Sequence, residues 1–339
     1  MTNTDEVPDR QQPSPRRQFL AKSLGMLGGL LTFEKSAKSV TAPDQQSQSP
    51  VTETSARQES ERELTSYRIF DAHLHSPSDE TNNFGLRWPG SWEVDPQGLW
   101  QWYPVTTTFA EFVAYLDRTG VQRGIINSPR SQEAKSPADF IAGNREVARY
   151  VEKYKGRFLG SCVVNPLFVD EALKEIEYCR KQLGFVWVGE LHNELVPYKY
   201  TIDEFELLVD QVTKLNMVLA VSAGFEDMHY LIHKFPNTTL VFPNFEGKDD
   251  DIFARIELVA AHRNAYIETS GLGHDRVGIL ENAVKTIGED RILYGSDFTF
   301  NCPATVIGPI QNASLSRQQK QKILAENVEA LLRKVGSSA

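Results

Sequence analysis

The stretch Arg68-Ile69-Phe70-Asp71-Ala72-His73-Leu74-His75 reads as a short buried strand that ends on two histidines. On extended backbone, residues two apart share a face, so His73 and His75 present their rings together while Ala72 and Leu74 point the other way. Seven further β-branched or aromatic runs follow, at 123–128, 158–165, 186–192, 218–223, 239–244, 265–269 and 292–297. Amphipathic stretches separate them, the pattern of parallel strands joined by crossover helices. Thr108-Phe109-Ala110-Glu111 and Thr201-Ile202-Asp203-Glu204 fit the capping box, and Ser136-Pro137 puts proline at a first helical position. Eight such units predict an α/β fold, a (β/α)8 TIM barrel that forms a single domain over 67–335. A doubly wound open sheet is the alternative, but no GxGxxG or GxxxxGKS follows an early run.

In a barrel of this kind, chemistry gathers at the carboxyl ends of the strands. Two same-face imidazoles there suit a divalent metal. The eighth run, Ile292-Leu293-Tyr294-Gly295-Ser296-Asp297, closes on a carboxylate. Asp297 reads either as metal ligand and general base or as a turn or capping residue. In the fourth run, Trp187-Val188-Gly189-Glu190-Leu191-His192, Glu190 is a candidate ligand, substrate-binding carboxylate or ion-pair member, and His192 shares its face. His229, His233 and His262 fall in helical stretches away from strand ends, whereas His274 follows the seventh run and could reach the site.

Several function classes are excluded by composition. The 339 residues carry a net charge of −9, and no Lys/Arg cluster offers the phosphate neutralisation that a nucleic-acid binder needs. Cys162, Cys179 and Cys302 have no CxxC or other metal-type spacing and read as free, buried thiols. At the front, Arg16-Arg17-Gln18-Phe19-Leu20 precedes an apolar stretch too short to span a membrane, so no stable span is expected after cleavage. It looks like a twin-arginine signal peptide over 1–42, addressed to the Tat export machinery and predicting a periplasmic or otherwise exported protein. Residues 43–66 are rich in Gln, Ser, Thr and Glu and read as a disordered linker. Between the first run and Thr108 lie Trp88, Trp92, Trp100 and Trp102. A loop this long suits a lid, with Trp88 and Trp102 as substrate-binding faces, or a satellite core that anchors itself.

Phe70–His75, Asn144-Arg145-Glu146-Val147-Ala148, Gly156-Arg157-Phe158-Leu159-Gly160, Phe235-Pro236-Asn237, Tyr294-Gly295-Ser296-Asp297 and Ile323-Leu324-Ala325-Glu326-Asn327, in that order and spacing, resemble the amidohydrolase superfamily. The likeness is to its amidohydrolase-related group of metal-dependent barrel enzymes. It implies His73, His75 and Asp297 as ligands of zinc or a similar divalent ion, with Asp71 supporting the histidines. It also implies hydrolysis of an amide, lactone or ester-like bond of a small molecule or, in some relatives, decarboxylation. Two positions depart from that pattern: where relatives usually carry histidines at the ends of strands five and six, this chain has Ser222 and Asn244. Neither is a good zinc ligand, so both are assigned to substrate binding, and Glu190 could complete a His, His, Glu, Asp set suited to Zn or Mn. The expectation is an exported metal-dependent hydrolase; the alternatives are a catalytically impaired binding protein on the same barrel and a metal-dependent decarboxylase of a small aromatic acid.

Overall fold

The computed structural model describes residues 67–77, 108–245, 251–271 and 273–336. The leader, the linker and the candidate residues Trp88 and Trp102 lie outside these residues. Eight strands run in chain order: β1 (Phe70–His75), β2 (Arg123–Asn127), β3 (Phe158–Cys162), β4 (Trp187–His192), β5 (Val218–Ser222), β6 (Thr239–Pro243), β7 (Ala265–Glu268) and β8 (Ile292–Leu293). Each pairs in parallel with the next. A single parallel bridge from Leu74 to Phe298 brings the last strand's continuation back to the first. The sheet is therefore a nearly closed barrel, and the expected (β/α)8 architecture is what forms.

The main crossover helices are α1 (Phe109–Thr119), α2 (Pro137–Lys153), α3 (Val169–Gln182), α4 (Asp203–Lys214), α5 (Phe225–Lys234), α6 (Ile252–Ala261) and α7 (Ile279–Ile287); α8 (Pro303–Asn312), α9 (Arg317–Gln321) and α10 (Asn327–Lys334) follow β8. Thr108 makes the expected capping box on α1, accepting from the Glu111 amide while the Glu111 carboxylate accepts from the Thr108 amide at 3.0 Å. We expect Thr108→Ala to cost about 1 kcal/mol in a denaturant titration, with no change in far-ultraviolet circular dichroism. Ser136 and Pro137 start α2 as expected. Thr201 does not cap α4: Ile202 occupies that position and has no side-chain oxygen to offer, while Asp203, Glu204 and Glu206 place negative charge at the helix's positive end.

Two apolar cores follow from the layering. The outer one lies between sheet and helices and includes Leu74, Phe109, Val188, Leu219 and Ile267. Every strand contributes to the inner one, through Phe70, Ala72, Ile125, Leu159, Trp187, Val218, Ala220, Val241, Tyr266 and Leu293, so it fills the barrel. Most of these residues lie at the amino-terminal halves of their strands, where Val328, Leu331 and Leu332 of α10 join them. The carboxyl halves are left for polar side chains. β1 departs from simple alternation: its register shifts between Asp71 and Leu74, so Ala72 joins the inner core instead of facing away from it.

Candidate metal centre

His73 and His75 leave the end of β1, and Asp297 reaches them from just beyond β8. The expected strand to Asp297 stops at Leu293, because residues 294–297 spend their hydrogen bonds outside a regular ladder. Ala72 N–H donates to Tyr294 O (2.9 Å), Asp297 N–H to His73 O (3.0 Å), and Ser296 N–H to the Asp71 carboxylate (2.9 Å). Asp297 sits in the left-handed region at φ +58°, which aspartate tolerates better than most residues and which turns its carboxylate onto the histidines. Asp297 Oδ1 lies 2.8 Å from His75 Nε2 and 3.9 Å from His73 Nε2. Donor atoms of the three residues fall within 4.8 Å of one another, a grouping that could hold a metal ion.

Around this trio the barrel adds buried acids. On β4, Glu190 Oε2 is 3.2 Å from His73 Nε2, and on β7, Glu268 Oε2 is 3.0 Å from His73 Nδ1. Burial opposes charge on His73, but Glu190 and Glu268 outweigh it and raise the ring's pKa well above its ordinary value. Glu190 is in turn held down at about 2, since His73 overcomes the burial that would raise it. Asp71 is buried and pushed up to about 7 by loss of solvation, against the hydrogen bonds it accepts from Ser296 and His73. Those bonds, from the His73 amide (3.0 Å) and the Ser296 amide (2.9 Å), clip His73 to the residue before Asp297.

The other candidates from the sequence gather on one cavity of about 50 Å³, room for an ion and a few atoms of ligand. His73, His75, Glu190, His192, Ser222, Asn244 and Asp297 all line it. His192 Nδ1 accepts from the Glu194 amide at 3.2 Å, which puts its proton on Nε2. Asn244 stands at φ +68°. The buried Arg255 guanidinium of α6 donates to Ala223 O (2.9 Å) and Asn244 O (3.2 Å), fixing the backbone beside Ser222 and Asn244. His274 is buried but does not line the cavity, and burial lowers its pKa.

Sequence reading missed Glu268, Asn127, Gln132, Ser270 and Phe300. The first two had a usable signal: taking Thr269 and Ser128 as the last strand residues overlooks a carboxylate and a carboxamide one position earlier, where β7 and β2 end. Gln132 ends a short helix, Pro129–Gln132, after β2, and Ser270 and Phe300 sit in bends or turns beyond the strands, where no periodicity points to them.

An amidohydrolase family model matches residues 70–334, almost the whole barrel. The chain belongs to the amidohydrolase family. No curated protein matches it by sequence. Among solved structures, the amidohydrolase barrel is similar to 5-carboxyvanillate decarboxylase of Sphingomonas paucimobilis, with 14% identity and TM-score 0.62 over 79% of this chain and 99% of that one. A dihydroxybenzoic acid decarboxylase of Polaromonas with bound manganese and 2-nitroresorcinol gives 17% and 0.60, over 79% and 97%. A probable 2-pyrone-4,6-dicarboxylic acid hydrolase of Acinetobacter baumannii gives 16% and 0.55, over 78% and 99%. At these identities the likeness is one of fold.

Proposed function

We propose that this amidohydrolase is a divalent-metal-dependent hydrolase that cleaves an amide, lactone or ester-like bond of a small molecule. The observation that carries the reading is the convergence of His73, His75 and Asp297 at the carboxyl end of the barrel. The donor chemistry fits a cation: two imidazoles stand among three carboxylates, Glu190, Glu268 and Asp297, so even two protonated rings leave the cluster negative. His73, His75 and Asp297, with Glu190, would hold the ion, and two nitrogen and two oxygen donors suit zinc or manganese. When bound, such an ion supplies Lewis acidity and makes water a better nucleophile.

The chain's own residues do the rest. Asp297 accepts the proton; Asn301 Nδ2 steadies its Oδ2 at 3.1 Å. Ser222, Asn244 and His192 supply hydrogen-bonding groups to orient a polar substrate, and the Phe300 ring, edge-on to His75 at 5.0 Å, walls the donor cluster on one side. Decarboxylation of a small aromatic acid is the second reading, favoured by the decarboxylases among the fold neighbours. Loss of activity to pure ligand binding is the third, motivated by Ser222 and Asn244 at positions where the family resemblance implies that histidine is usual. We further propose export through the twin-arginine pathway, on the strength of Arg16-Arg17 and the apolar run behind them, with 43–66 as a tether. Among the described residues no helix is long and apolar enough to cross a membrane.

Elemental analysis of the protein beside a His73→Ala, His75→Ala variant tests the metal. About one divalent ion per chain in the parent and none in the variant is expected. An empty parent after reloading with zinc and manganese overturns the reading in favour of the binding protein. With metal present, carbon dioxide release from aromatic acids, against acid formation from amides and lactones, decides between decarboxylase and hydrolase.

A further inference from the structure

The two histidines of β1 are backed by different chemistry. Behind His73 stands a carboxylate: Glu268 Oε2 is 3.0 Å from Nδ1, and both residues are at least nine-tenths buried. That carboxylate is itself fixed. Its Oε1 accepts from the Ser270 amide at 2.8 Å, and the Gly295 backbone is so close that an added Cβ would lie 1.9 Å from Oε1. Behind His75 stands a carboxamide, with Asn127 Oδ1 3.0 Å from Nδ1. An ionised carboxylate only accepts hydrogen bonds, so Nδ1 of His73 must carry a proton. A carboxamide rotated by 180° donates instead, so Asn127 serves either tautomer of His75. On its other side, His75 Nε2 faces Asp297 Oδ1 at 2.8 Å.

From this asymmetry we infer that Glu268 is a positioning residue which locks His73 with its Nε2 toward the cavity, making His73 the anchoring metal ligand, while Asn127 lets His75 change tautomer. The inference rests on the metal site proposed above, but its first test does not. A charged carboxylate behind an imidazole also makes the ring a stronger donor, and losing such a partner typically lowers metal affinity about 10–100-fold.

Nitrogen-15 spectra of histidine side chains in the metal-free protein are the first measurement. His73 Nδ1 is expected to be protonated in the parent. In Glu268→Leu that acceptor is gone, and the proton should move to Nε2, which faces Glu190 at 3.2 Å. The second measurement is zinc and manganese affinity by competition with a chromophoric chelator. Glu268→Gln should bind about 10–100-fold more weakly than the parent, and Asn127→Ala less than about 10-fold more weakly, both with unchanged circular dichroism. An unprotonated Nδ1 in the parent, or equal affinities for Glu268→Gln and parent, overturns the assignment. A parent that takes no metal defeats the proposed function instead, and the nitrogen-15 result then decides the role of Glu268 alone.

Discussion

Replacing Asp297 by asparagine is expected to lower turnover by at least about 10³-fold at saturating metal, with the barrel intact. Two facts make this a clean substitution. Asparagine tolerates the left-handed backbone at φ +58° as well as aspartate does, and Asn301 can still hydrogen-bond the new side-chain oxygen. What disappears is the anionic oxygen 2.8 Å from His75 Nε2, and with it both a proton acceptor and one charge of the donor set. General-base removal alone is worth about 10²–10⁴ in rate, and a weakened metal site adds to it. Once a substrate is in hand, steady-state kinetics over a metal titration provide the check. Turnover within tenfold of the parent at saturating metal would show that another group takes the proton.

The largest loss of stability is expected at Gly189. Its φ of +102° is a conformation that side chains resist, and a Cβ there would lie 2.1 Å from Ala220 O on the neighbouring strand. A backbone carbonyl inside β5 cannot move aside as a flexible side chain can. Gly189→Ala should therefore cost at least about 3 kcal/mol, or about 6–12 °C in Tm for a barrel of this size. Gly184→Ala is the control, with a comparable φ of +71° and open space around the added methyl. It should lose only about 1–2 kcal/mol, the cost of the left-handed backbone alone. Equal midpoints for the two variants would mean that β4 gives way beside Glu190 far more readily than its packing implies.

Apolar runs between polar breaks are enough to find eight strands, since each must be buried on both faces. The same logic points to strand ends, which is why His73, His75, Glu190, His192 and Asp297 can be chosen from the sequence, while Ser222 and Asn244 come from the family resemblance; all seven line one cavity. Glu268 and Asn127 escape because a one-residue error in where a strand ends moves attention to the neighbouring residue. Thr201 misleads for a similar reason, one position early for a helix that begins at Asp203. The left-handed turn at Asp297 and the register shift in β1 arise from tertiary hydrogen bonds, to which residue patterns within a strand are blind. Trp88 and Trp102 keep their assignment as substrate-binding faces only as an expectation.

The donors at the barrel's seam come from opposite ends of the domain: His75 and Asp297 are 222 positions apart. No ribosome-bound fragment short of β8 can contain the finished trio, so metal capture has to wait for nearly the entire chain. Closing so long a loop is slow compared with forming neighbouring βα units, and the seam is the natural last event of folding. An ion that arrives then reports completion: a filled site marks a finished barrel, and a chain that stalls earlier stays unmarked. For a protein proposed to cross a membrane already folded, acquisition of metal and readiness to travel would coincide in time.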